Sequence, residues 1–211
     1  MPLFTIRFFG TTRLLAASIL FWSAAEAAHA GPYGTLGVSV EDIQAEDDFD
    51  SFTGTGINAR LGYNFGRYFG VEAEGQIGLS GEGDNPYFID GTLIQNETYD
   101  YSGAWALYLR PQLPVSDNFS LSVRAGFGVK YFDRTVDNFE FPSGARESQF
   151  NDTASLLHGA LGAGVEYSFG ELNTQSVRLD FTRRYDPGSL SDGDDEGTED
   201  SQVTVSYVRK F

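Results

Sequence analysis

The sequence predicts an all-β chain: an eight-stranded antiparallel up-and-down transmembrane β-barrel, preceded by a cleavable signal peptide. Three observations predict it. Apolar and polar residues alternate with period two over eight separate segments, most of them 10 to 16 residues long. Soluble strands usually run to about 5 or 6 residues, whereas a tilted bilayer crossing needs about 9–11. Short and long connections alternate between the segments, which gathers all the short ones at one end. Finally, the 211 residues include 25 Gly, 18 Phe and 11 Tyr but 1 Met and no Cys, a balance that favours strands over helices.

The same composition excludes several functions. Without Cys there is no disulfide framework and no thiolate metal site. With 14 Lys+Arg against 30 Asp+Glu the formal charge is −16, so nucleic acid is not a partner.

Residues 1–30 read as the signal peptide. Arg7 and Arg13 make a basic start, Leu14–Trp22 is a short apolar run, and Ala28-His29-Ala30 gives a small-x-small cleavage pattern before Gly31. The apolar run is too short to span a membrane, which takes about 20 residues. Residues 31–211 then form the barrel domain, with a formal charge of −17 once Arg7, Arg13 and Glu26 are removed.

The eight segments follow in order. Tyr33–Val40 places Leu36, Val38 and Val40 on one face. Phe52–Phe65 alternates Ile57, Ala59, Leu61 and Tyr63 with Asn58, Arg60, Gly62 and Asn64. Phe69–Leu79 sets Val71, Ala73 and Ile77 against Glu72, Glu74 and Gln76. Tyr101–Leu113 sets Trp105, Leu107 and Leu109 against Tyr108 and Arg110. Phe119–Phe132 sets Leu121, Val123, Phe127 and Val129 against Ser122, Arg124 and Lys130. Ala154–Phe169 sets Leu157, Leu161, Val165 and Tyr167 against His158 and Glu166. Gln175–Tyr185 sets Val177, Leu179 and Phe181 against Arg178, Asp180 and Arg184. Ser201–Phe211 sets Val203, Val205, Tyr207 and Phe211 against Gln202, Thr204 and Ser206.

The short connections are 66–68, 114–118 and 170–174; the long polar ones are 41–51, 81–100, 133–152 and 186–200. Within two of the long ones lie further hairpin signals, at Asp90-Gly91 and at Pro142-Ser143-Gly144. Their arms are too short to cross a membrane. They predict β-ribbons continuing beyond the bilayer, not a ten-stranded barrel.

Two features separate this pattern from a soluble sandwich. The polar face carries mixed charge in mid-strand: Arg60, Arg110, Arg124, Lys130, Arg178 and Arg184 with Glu72, Glu74, Glu166 and Asp180. An eight-stranded barrel has a lumen just wide enough for side chains, so such charges must pair there. Tyr108 and His158 join this predicted lumen network. Aromatics also gather at the strand ends. Tyr63, Phe65, Tyr68, Phe69, Phe119, Tyr167, Phe169 and Phe211 fall near the short turns. Tyr99, Tyr101, Tyr131, Phe132 and Tyr185 fall near the long loops. Two belts are what the two membrane interfaces favour.

Several stretches resemble the small eight-stranded outer-membrane barrels of Gram-negative bacteria, the group of the OmpA transmembrane domain, OmpX and the opacity proteins. They are Leu61–Glu72 (LGYNFGRYFGVE), Tyr108–Pro114 (YLRPQLP), Ala125–Gly128 (AGFG) and Gly162–Phe169 (GAGVEYSF). The resemblance covers 31–211. It implies location in the cell outer membrane, contact with lipid and lipopolysaccharide, and a monomer without enzymatic activity. The roles it implies are envelope integrity, adhesion or resistance to host factors, with an external protein or surface ligand bound by the loops. Val203, Val205, Tyr207 and the terminal Phe211 resemble the signal read by the outer-membrane assembly machinery.

Two other functions remain open from the sequence. One is a small porin-like channel, against which the mixed lumen charges argue. The other is a lipid A-modifying enzyme using His158 with Ser155 and Glu147 or Asp152, against which the lumen-facing parity of His158 argues. Asp192–Gly197 has the look of a calcium loop but no EF-hand register. No metal and no cofactor is expected. The negative charge is uneven: the four long connections carry −6, −5, −3 and −7, leaving the remaining residues at +4. The expectation is a mildly basic barrel beneath an acidic crown.

Overall fold

The structure, a computed structural model, describes residues 30–43, 51–170, 173–185 and 199–211. The predicted signal peptide, most of the first long loop, nearly all of the fourth and the acidic segment Asp192–Gly197 lie outside these residues. The strands are β1 (Ala30–Ile43), β2 (Phe52–Phe65), β3 (Phe69–Ser80), β4 (Glu82–Ile89), β5 (Thr92–Pro114), β6 (Phe119–Glu140), β7 (Ala145–Phe169), β8 (Gln175–Tyr185) and β9 (Glu199–Lys210).

Eight of them close a ring in the order β3-β2-β1-β9-β8-β7-β6-β5, with β5 returning to β3; every pairing is antiparallel. Closure removes the free sheet edges that a bilayer does not tolerate. β4 stands apart and pairs only with the outer part of β5.

Alternation decides the two faces. On β8, Val177, Leu179 and Phe181 are exposed outward, while Ser176, Arg178, Asp180, Thr182 and Arg184 are buried inside. This inverts a soluble protein, whose large apolar side chains would fill the interior. Such a pattern suits a bilayer, where exposed Leu, Val, Ile and Phe face lipid and the polar atoms are the ones hidden.

The strands of both long hairpins run well past the barrel rim. β5, β6 and β7 are 23, 22 and 25 residues long. The two hairpins also pair with each other along Gln95–Asp100 and Asp133–Asn138. Together β4 and the outer parts of β5, β6 and β7 make one four-stranded sheet standing above the rim, where the sequence predicts two separate ribbons. Asp90 and Gly91 turn the first hairpin, both with positive φ (48° and 78°), as the Asp-Gly signal requires.

The junction between barrel and sheet is built from two bulges. Leu79 is an extra residue in β3 against Thr55 and Gly56, and Ser102 is an extra residue in β5 against Phe132 and Tyr131. An extra residue shifts the side-chain parity. Tyr101 therefore turns into the lumen mouth, 4% exposed, and packs on Phe132 at 5.9 Å. This corrects the expectation that Tyr101 and Phe132 belong to the outer lipid belt. On the lipid side of that end are Trp105, whose Nε1 donates to Tyr131 Oη at 3.1 Å, and Arg183 over the Tyr185 ring at 5.7 Å. The other belt, near the short turns, includes exposed Phe65, Tyr68, Phe69, Tyr167 and Phe211.

Candidate functional site

Two places carry candidate chemistry, the lumen and the projecting sheet. In the lumen the structure buries Arg60, Glu72, Glu74, Tyr108, Arg110, Arg124, Lys130, His158, Glu166, Arg178, Asp180 and Arg184. Each comes from the inward parity of its strand, so one alternation rule brings twelve distant residues into one column.

The column has three tiers. At the short-turn end, Glu166 meets Arg178 Nη2 at 2.9 Å, Arg110 Nη2 at 3.0 Å and Lys210 Nζ at 2.8 Å. Glu72 there takes Arg178 Nη1 at 2.5 Å and the Tyr33 hydroxyl at 2.6 Å. In the middle, Arg60 joins Glu74 through Nε at 2.5 Å and Asp180 through Nη1. Arg124 adds a bond to Glu74 at 3.1 Å and lies 4.3 Å above the Tyr108 ring. At the outer end, Lys130 bridges Glu41 and Asp200, and Arg184 Nη1 reaches Glu41 at 2.5 Å. Gln202 and Gln76 extend this tier, with Gln202 Nε2 donating to Gln76 Oε1 at 2.7 Å.

Glu41 and Asp200 are a correction. Counted by sequence in the acidic loops, both are buried in the lumen. Parity held the signal: Glu41 continues the inward series Tyr33, Thr35, Gly37, Ser39, and Asp200 precedes the inward series Gln202, Thr204, Ser206. The strands simply run further than the apolar residues that mark them. Six buried carboxylates thus face six buried Arg and Lys. The crown falls from −21 to −19, and the barrel from +4 to +2.

His158 is 2% exposed, and neither ring nitrogen has a hydrogen-bond partner among the described residues. Ser155, three residues along β7, has the opposite parity and is exposed on the outer wall. The two side chains point to opposite sides of one sheet, so the Ser–His pair considered from sequence is not assembled. Among the described residues no group of His, Cys, Asp and Glu is arranged to hold a metal ion.

On the projecting sheet the face continuous with the lumen side centres on Glu97. Its carboxylate accepts from Arg134 Nη2 at 2.7 Å, Tyr99 Oη at 2.8 Å and Gln95 Nε2 at 2.9 Å. Partial burial pushes the Glu97 carboxyl up, but these three donors outweigh it and hold the group below the usual carboxylate range. Burial, then the bond to Glu97, pushes the Tyr99 hydroxyl up to about 12. Val136 is buried on this face. The opposite face is acidic: Glu82, Asp100 and Asp133 lie directly opposite one another across three strands, with Asp84 beside them.

Comparison with known proteins places this architecture. A model of the outer membrane protein beta-barrel domain matches residues 12–211. The chain belongs to that family. Members of the outer membrane protein beta-barrel family reside in the outer membrane, and so does this chain. Among solved structures it is similar to the attachment invasion locus protein Ail of Yersinia pestis, at TM-score 0.53 and 14% identity, covering 87% of this chain and 99% of that one. Neisserial surface protein A is similar at TM-score 0.51 and 8% identity, covering 86% and 97%. At such identities the likeness concerns the outer-membrane barrel fold. No curated protein matches the sequence significantly.

Proposed function

We propose that this outer-membrane barrel is a non-enzymatic anchor that presents its projecting sheet and acidic loops as an interaction surface for an external protein or surface ligand. The observation that carries this reading is the division of the chain. The lumen is filled by paired charges, while β4–β7 extend into a sheet that the barrel does not need for closure. That sheet has two edges without a strand partner among the described residues: β4 and the outer part of β7, which meets β8 only from Gly159 onward. Unpaired edges with exposed Tyr87, Phe88 and Phe150 nearby suit a partner that adds a strand or lays an apolar side chain against them. The barrel acts as a monomer in lipid and lipopolysaccharide, delivered by the assembly machinery through Val203, Val205, Tyr207 and Phe211.

The experiment replaces 82–100 and 134–152 by short turns and expresses the shortened barrel in a Gram-negative host. The shortened form keeps heat-shifted gel mobility and outer-membrane fractionation but loses adhesion to host cells or matrix. Equal adhesion by both forms would sink the reading. Lipid A mass spectra are expected to be identical with the full chain, with His158→Ala and with no barrel; an acyl change that His158→Ala abolishes would make it an enzyme.

A further inference from the structure

A shallow trough lies on the lipid-facing wall of β1, β2 and β3, near the short-turn end. Its volume is about 560 Å³, within the ~300–1,000 Å³ of ordinary small-molecule pockets. Its floor is made by Gly34, Ala59, Ala73 and Gly75, all with outward parity and none with a side chain beyond Cβ. A Cβ added at Gly75 would meet no atom within 4 Å, so the space over it is open. Tyr207 and Phe211 wall one side; the Phe211 ring edge lies 3.8 Å from where a Gly34 Cβ would stand.

At one end of the trough stands Arg209. It pairs across the ladder with Gly34 and with Gln175, the first residue after the short turn 170–174, which puts it at the periplasmic headgroup level. Its side chain is exposed outward, with no carboxylate partner among the described residues. Every Arg and Lys in the lumen, by contrast, is matched to a carboxylate. A guanidinium beside an apolar trough is complementary to a lipid with a phosphate at one end and an alkyl chain at the other.

We propose that this trough seats one acyl chain of an anionic phospholipid of the periplasmic leaflet, with its phosphate held by Arg209. The bare floor lets the chain lie against backbone and Cβ atoms where neighbouring walls present branched side chains. This goes beyond the loop-centred reading above and does not depend on it.

The test uses the full barrel in nanodiscs of phosphatidylethanolamine and phosphatidylglycerol, released into mild detergent for native mass spectrometry. Wild type is expected to retain one phosphatidylglycerol. Gly75→Leu and Ala59→Leu fill the trough and should lower retention about tenfold, the effect of losing some tens of Å² of apolar contact. Arg209→Gln should lower it about threefold, as for one exposed ion pair, and remove the preference over phosphatidylethanolamine. Val165→Leu, on the opposite wall, should change nothing. Heat-shifted mobility shows which variants fold; if Gly75→Leu does not, Ala59→Leu and Arg209→Gln decide. Equal adducts in all variants would overturn the proposal, as would disulfide-linked dimers formed by Gly75→Cys, which would give the trough to a second copy.

Discussion

At the scale of single residues, the lumen turns the usual stability argument around. A buried ion pair seldom outweighs its desolvation cost against an apolar alternative, but removing one partner leaves a naked charge. Lys130 is the sharpest case, because Glu41 and Asp200 both depend on it. Lys130→Met is expected to destabilise the barrel by about 3–5 kcal/mol, read as a lower urea midpoint for loss of heat-shifted mobility in lipid vesicles. Adding Asp200→Asn to that variant, which leaves Glu41 matched by Arg184, should restore much of the loss; no recovery would mean the charges are not the cause. Above the membrane, Glu97 makes a prediction about pH. Its carboxyl is lowered, so its share of the sheet's stability is present above the free-Glu value of about 4.3 and is lost as pH falls through the folded value. A carbon-detected NMR titration should give Glu97 a midpoint below that of free Glu, moving upward in Arg134→Gln.

At the scale of elements, the junction bulges decide what the outer halves of the strands present. Ser102 is the inserted residue: an unbulged β5 that kept it in the ladder would turn Tyr99 and Glu97 to the other face, away from Arg134, whereas removing it closes the bulge with both still facing Arg134. Deleting Ser102 is therefore expected to leave 92–101 as resistant to protease as the barrel; cleavage there would show that the bulge itself is needed. Thr98→Pro tests the pairing of the two hairpins directly, because Thr98 lies opposite Thr135 and a proline cannot donate to a ladder. Cleavage within 83–100, with the barrel's mobility unchanged, is the expected result; an uncut chain would show that the hairpins stand without each other. These bulges were the least legible part of the sequence. Period-two reading assumes an unbroken register, so a single inserted residue places Tyr101 on the wrong face, whereas Phe132 keeps the inward parity of Arg124 and Lys130. The pairing of the two ribbons was equally hidden, since Gln95–Asp100 and Asp133–Asn138 are polar and carry no apolar stripe to set a register.

At the scale of the whole molecule, the barrel itself was written plainly in the sequence. A bilayer leaves few choices to the backbone, and alternation is then enforced along every strand, as Val177 to Arg184 shows. The candidate site was legible to the same depth, because a lumen residue needs only the right parity. Glu41 and Asp200 escaped because they lie past the last apolar markers of their strands. With six carboxylates facing six cations, the interior is neutral and occupied. Purified protein in a planar bilayer is accordingly expected to show no sustained single-channel conductance, and steady open levels would favour the pore. The way those charges are distributed has a consequence for assembly. Lys130 on β6 is matched only from β1 and β9, Asp180 on β8 by Arg60 on β2, and Arg184 on β8 by Glu41 on β1. These partners stand up to 143 residues apart. Hairpins entering the bilayer one at a time would bring such charges in unmatched. The cost is relieved only when the first and last strands meet, so the cylinder should close and insert in one cooperative step, with half-built forms kept out by their own electrostatics.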